Sequence, residues 1–148
     1  MGPYEVLAGM TEFGGQNLAY NLEFIPADKL TWKPEGALSA LEVAHHVAAA
    51  LTHMRPLLSG KGFSNEEIPM PQDLATAQEI VKQAAAAFAS DLRKVDPAIL
   101  NNPVDTPMGP LPLSQVITWG PFDLLHHHGQ IAYIQTMLGD KESHFVGM

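Results

Sequence analysis

Apolar residues recur at helical spacing along four stretches of the chain, separated by segments where glycine and proline accumulate. In the first, about residues 3–25, Val6, Met10, Phe13, Leu18 and Phe24-Ile25 fall roughly on the repeat of an amphipathic helix, with Pro3 in its first turn. Gly14-Gly15 weaken that helix by about 1 kcal/mol each relative to alanine, a cost that close approach of a neighbouring helix would explain. In the second, about residues 39–58, Ser39 and Glu42 form a capping box, and Ala40, Ala44, Val47, Leu51, Met54 and Leu58 make the stripe before Ser59-Gly60 end it.

The third stretch, about residues 74–95, carries Ile80, Ala84, Ala87-Phe88, Leu92 and Val95 on one face, with Thr76 and Glu79 as a second capping box or Asp73 capping one turn earlier. The fourth, about residues 114–138, carries Val116, Trp119, Leu124, Ile131, Ile134 and Met137-Leu138; Pro121 predicts either a kink or a helix start at Gly120-Pro121. Pro69 and Pro71 exclude a continuous helix from the 61–72 connector. Five prolines between residues 96 and 112 predict an extended crossing. Alternating strand patterns are nearly absent, so an all-α four-helix bundle with one long crossover, a single domain over residues 1–148, is the economical solution. The tail from Asp140 to Met148 has little pattern and is either mobile or docked on a partner.

Composition narrows the function classes. At 148 residues and 46% hydrophobic the chain has enough apolar side chain for one sizeable core, yet only 16% of it is charged against about 25% in a soluble average. The shortfall suggests a face covered by a second subunit. A formal charge of −8 argues against nucleic acid, and no window reaches the roughly 20 apolar residues that span a bilayer. With no targeting pattern at the amino end, a cytoplasmic protein is the default expectation.

The chain has no cysteine, so a metal would be held by nitrogen and oxygen alone. Of 7 histidines, five sit in two clusters, His45-His46 and His126-His127-His128. Asp123 and His127, four apart on a helix, share a face with Cβ atoms about 6 Å apart; His126 and His128 point about 100° to either side. His46 is available as a third donor from another helix. Two imidazoles and a carboxylate would leave coordination positions open for catalysis and would suit Zn, Fe(II), Ni or Mn. The same residues also read as hydrogen-bonded structural histidines, with Asp123 favouring a helix start.

Three segments, taken in order and separation, resemble the DinB/YfiT-like superfamily of metal-dependent helical bundles: Leu30-Thr31-Trp32-Lys33-Pro34, Ser39-Ala40-Leu41-Glu42-Val43-Ala44-His45-His46-Val47-Ala48, and His126-His127-His128-Gly129-Gln130-Ile131 with Tyr133 and Met137-Leu138-Gly139. The resemblance covers nearly the whole chain and implies an up-down-down-up bundle, a homodimer and a divalent ion held from the second and last helices. It maps the ligands onto His46, His127 and, four residues before His127, Asp123, where the family usually has histidine. Either the site persists with harder oxygen character or the metal has been lost.

Gln130, one turn beyond His127, either orients its imidazole or bonds to a helix N–H or solvent, and His53, seven residues after His46, reads first as a boundary histidine and second as a pocket residue. Trp32 either packs the first loop on the bundle or stacks on a substrate, and Trp119, Tyr20 and Tyr133 read as core or pocket wall. The activity implied is transfer of a low-molecular-weight thiol to an electrophilic substrate, or metal-assisted hydrolysis. The alternatives are a metal-free small-molecule-binding or stress-associated dimer, and an interaction scaffold.

Overall fold

The computed structural model of the chain describes residue 2 and residues 4–147. Pro3, assigned above to the first turn of the first helix, lies outside the described residues. Four long helices dominate: α1 (Glu5–Leu22), α2 (Ala40–Met54), α3 (Leu74–Leu92) and, after a single turn α4 (Leu113–Val116), α5 (Trp119–Met137). A two-stranded antiparallel hairpin, β1 (Pro103–Thr106) and β2 (Gly109–Pro112), precedes α4. No helix among the described residues is long and apolar enough to cross a membrane.

The long helices pack around one core, built on fully buried side chains such as Leu18, Leu51, Phe88, Leu124 and Ile131. Cross-helix contacts give their directions. Arg93, just past the end of α3, pairs with Glu5 and Glu12 near the start of α1, and Gln78 bonds to Ala19 and Glu23 at its end, so the two run antiparallel. Gly14 faces Leu124 and Asn21 accepts from Gln135, so α1 and α5 run parallel. The His46 ring meets His127 while His53 and Trp119 line a common cleft, so α2 runs against α5.

The capping box of α2 forms as its sequence predicts: Ser39 Oγ accepts from the Glu42 amide, and Glu42 accepts from the Ser39 amide at 2.7 Å. α2 closes at Met54, earlier than the expected residue 58, and a 3-10 turn over Arg55–Ser59 follows. Pro56 explains this, since it has no N–H for the next α-helical bond and its ring crowds the carbonyl four residues back. At α3, Asp73 takes the cap, accepting from the Thr76 amide at 2.7 Å, so the Thr76/Glu79 box is not the one used.

Three expectations are corrected. In α1, Val6, Met10 and Phe13 are exposed, and the buried face is instead Ala8, Thr11, Gly14, Gly15, Leu18, Ala19 and Leu22. Small residues win this face because α3 and α5 approach closely; a Cβ on Gly15 would overlap that of Ala85, and one on Gly14 would lie 3.2 Å from that of Leu124. The proline-rich crossing holds a short turn at Pro97–Ile99 and the hairpin, where prolines are tolerated because both strands are edges. The tail docks on its own chain: Val146 N–H donates to Asn17 Oδ1 at 2.9 Å, Asn21 Nδ2 donates to the His144 carbonyl at 2.7 Å, and the His144 ring stacks on Phe24.

Pro121 neither kinks α5 nor stands at its first position. The helix begins at Trp119, two residues earlier, which places the proline where its missing N–H had no intrahelical partner to lose. Gly120 is required beside it, because a Cβ there would meet the Phe88 ring at 2.5 Å. Asp123 therefore sits in unbroken helix, in register with His127.

Candidate metal centre

The capping box starts α2 so that Val43, Ala44 and Val47 face the core, leaving His46 on the flank toward α5. Its neighbour His45 points elsewhere, with Nε2–H donating to the Ile68 carbonyl at 2.7 Å and holding the connector. On α5, Leu124 and Ile131 are fully buried, and the same rotation directs Asp123 and His127 at α2. His46, Asp123 and His127 each offer a ligand atom, and these atoms lie within 4.8 Å of one another. The three side chains that spacing and resemblance singled out are thus brought together by packing between two helices.

His127 is 5% exposed. Its Nδ1–H donates to Gln130 Oε1 at 2.7 Å, which leaves Nε2 with its lone pair toward the other donors. That Nε2 stands 3.3 Å from Asp123 Oδ1. Two lone pairs at this distance repel unless a cation lies between them, either a proton or a metal ion. Burial opposes charge on His127, but the Asp123 carboxylate and Gln130 outweigh it and raise its pKa above the ordinary value. His46 is exposed toward the cleft, and its partial desolvation and then the neighbouring His127 push its pKa down, favouring the neutral, ligating form.

The second oxygen of Asp123, Oδ2, is buried without a hydrogen-bond partner. An orphaned carboxylate oxygen is costly in a packed interior. A divalent ion drawing on Asp123, His127 and His46 would satisfy it, so the donor set fits a metal by its chemistry and by its unmet need. A carboxylate beside two imidazoles suits Zn, Fe(II), Ni or Mn.

The sequence model of the DinB superfamily matches residues 10–131, most of the chain. The chain belongs to the DinB superfamily. Among solved structures, it resembles the crystal structure of a DinB-like protein, YjoA, from Bacillus subtilis: TM-score 0.77, 17% identity, covering 95% of this chain and 96% of that one. At that identity the likeness concerns the fold. No curated protein matches the chain.

Beside the donors, this DinB-superfamily protein has an open cleft of about 530 Å³. His46 and Asp123 form one part of its lining, and Ala49, Ala50, Met54, Phe63, Trp119 and Phe122 form apolar walls. His53 also lines it, as its spacing from His46 suggested, and its Nε2–H donates to the Glu66 carbonyl at 2.7 Å. Trp32 is half-buried against the core and does not line this cleft. Trp119 is a cleft wall, whereas Tyr20 and Tyr133 lie elsewhere. Sequence reasoning missed Phe63 and Phe122. Phe63 stands in a connector without periodicity, but Phe122, next to Asp123 on the helix, was findable as a side chain at the edge of the donor set.

Proposed function

We propose that the protein is a metal-dependent enzyme on an up-down-down-up four-helix bundle, with His46, Asp123 and His127 holding one divalent ion. The pairwise helix directions support the topology, and the convergence of the three donors, with one oxygen of Asp123 buried and unpartnered, carries the site. When bound, such an ion lowers the pKa of a thiol or water presented to it and so supplies a nucleophile near neutral pH. The reaction class is transfer of a low-molecular-weight thiol to an electrophile, with metal-assisted hydrolysis as its nearest relative. Gln130 fixes the His127 tautomer, His46 stays neutral, and the walls of the cleft exclude water from the electrophile's apolar part. Without a cysteine in the chain, the sulfur comes from the cosubstrate. The cytoplasm, where small thiols are kept reduced, is the fitting compartment.

The test is metal content by mass spectrometry after incubation of tag-free protein with Zn, Ni, Fe(II) or Mn. One equivalent is expected in the wild type and none in His127→Ala, while Gln130→Leu weakens affinity by about 10–100-fold in chelator competition. Unchanged stoichiometry in His127→Ala defeats the site. Failure of the wild type to take up any ion favours the second reading, a metal-free small-molecule-binding module in which a proton occupies the 3.3 Å gap between His127 and Asp123.

The assembly proposed is a homodimer. Val6, Met10 and Phe13 on α1 and Leu125 on the neighbouring, parallel α5 are exposed apolar side chains. A second copy of the same neutral face is the partner that a chain of charge −8 can approach with least repulsion.

A further inference from the structure

The cleft beside the candidate ion site has a chemical character of its own. Its walls are alanine, methionine and aromatic side chains, and among the described residues no lysine or arginine lines it. In the metal-free protein a carboxylate or phosphate entering it would lose water, find no lysine or arginine and meet the Asp123 carboxylate, which is expensive. A volume of about 530 Å³ is that of a small-molecule site.

Besides Asp123 on α5, its polar groups stand along α2. His46 and His53 are seven residues apart on one helix, a rise of about 10 Å along the axis. His46 belongs to the donor set. His53 does not, and its chemistry is set by the connector: a carbonyl can only accept, so the 2.7 Å contact with Glu66 O fixes the proton on Nε2. In the neutral ring this leaves Nδ1 as a hydrogen-bond acceptor. The Phe63 ring, 6.2 Å from that of His53, adds an apolar surface beside it.

We propose that this cleft binds an uncharged, largely apolar organic molecule that carries a hydrogen-bond donor, a hydroxyl or amine, accepted by His53 Nδ1 about 10 Å along α2 from the ion site. The proposal rests on the metal-enzyme reading only in that the ligand's other end would be the electrophilic one. The binding chemistry itself needs no ion, which makes the two separable.

The experiment is equilibrium dialysis of the full-length protein, metal-free and metal-loaded, at about pH 7 against naphthol, its methyl ether and naphthoate. The three share an apolar body and differ in a donor, no donor and a negative charge. Naphthol is expected to bind about fivefold more tightly than the ether, the worth of one hydrogen bond, and naphthoate more weakly than either. His53→Phe should erase the naphthol preference, whereas His53→Gln, whose amide can donate to Glu66 and still accept, should keep it. Ala50→Trp, which fills the cleft, should abolish binding of all three.

In metal-free protein, equal affinity for naphthol and ether in the wild type, tighter binding of naphthoate, or undiminished binding to Ala50→Trp overturns the inference; the wild-type comparison decides whatever the variants do. A naphthol preference in metal-free protein supports the inference even if no ion is ever taken up. One equivalent of metal without that preference overturns the inference and leaves the metal reading intact.

Discussion

Glu42 shows how much a single residue does here. Its carboxylate accepts from Lys33 Nζ at 2.7 and 2.9 Å and from the Ser39 amide at 2.7 Å, and these contacts, Lys33 foremost, hold its pKa at about 2, below the ordinary 4.5. The folded chain thus takes up this proton less readily than the unfolded one. The resulting stabilisation is complete above about pH 4.5 and is lost as pH falls toward about 2. Urea titrations between about pH 5 and pH 2 should show a smaller decline for Glu42→Gln than for the wild type, and an equal decline would show that the pair contributes nothing across that range. The capping box was legible from Ser39 and Glu42 because it is local, spanning one turn. The Lys33 contact was not, because it depends on how the preceding loop lies against the helix.

At the scale of elements, α1 departs most from its hydrophobic pattern. Val6, Met10 and Phe13 have helical spacing but face outward, since two helices must close on Gly14 and Gly15 and only the glycine face lets them. Gly15→Ala should therefore lose stability by about 1–2 kcal/mol in urea unfolding, the clash with Ala85 outweighing the gain in helix propensity. Gly9→Ala, with nothing within 4 Å of the added Cβ, should instead gain about 0.5–1 kcal/mol. A stabilised Gly15→Ala would mean that α1 and α3 are not held this closely. The glycine pair announced a close approach in the sequence, but the direction of that approach came only with the packing. In α5 Pro121 left open a kink or a start, and the helix, continuous from Trp119, shows a start just before it.

The whole molecule assembles its site from parts far apart in the chain, and its outward α1 face bears on the low charge content. If that face seats a second copy, Met10→Glu combined with Phe13→Glu should convert a dimer to a monomer in sedimentation equilibrium, with the far-UV spectrum unchanged; a wild type that is monomeric at tens of micromolar, about the range of weak dimers, would remove the proposal. The sequence by itself determined the helical segments, the capping box of α2, the superfamily and the identity of the three candidate donors. Each of these is encoded in local spacing or in a motif read along the chain. Only the tertiary structure decided that the tail folds back on its own chain and which face of α1 is buried. It alone brought Phe63 and Phe122 to one cleft, and left one oxygen of Asp123 buried without a partner. Those features depend on the rotation and separation of helices relative to one another, and these are set by the sum of packing contacts across the core rather than by any one segment.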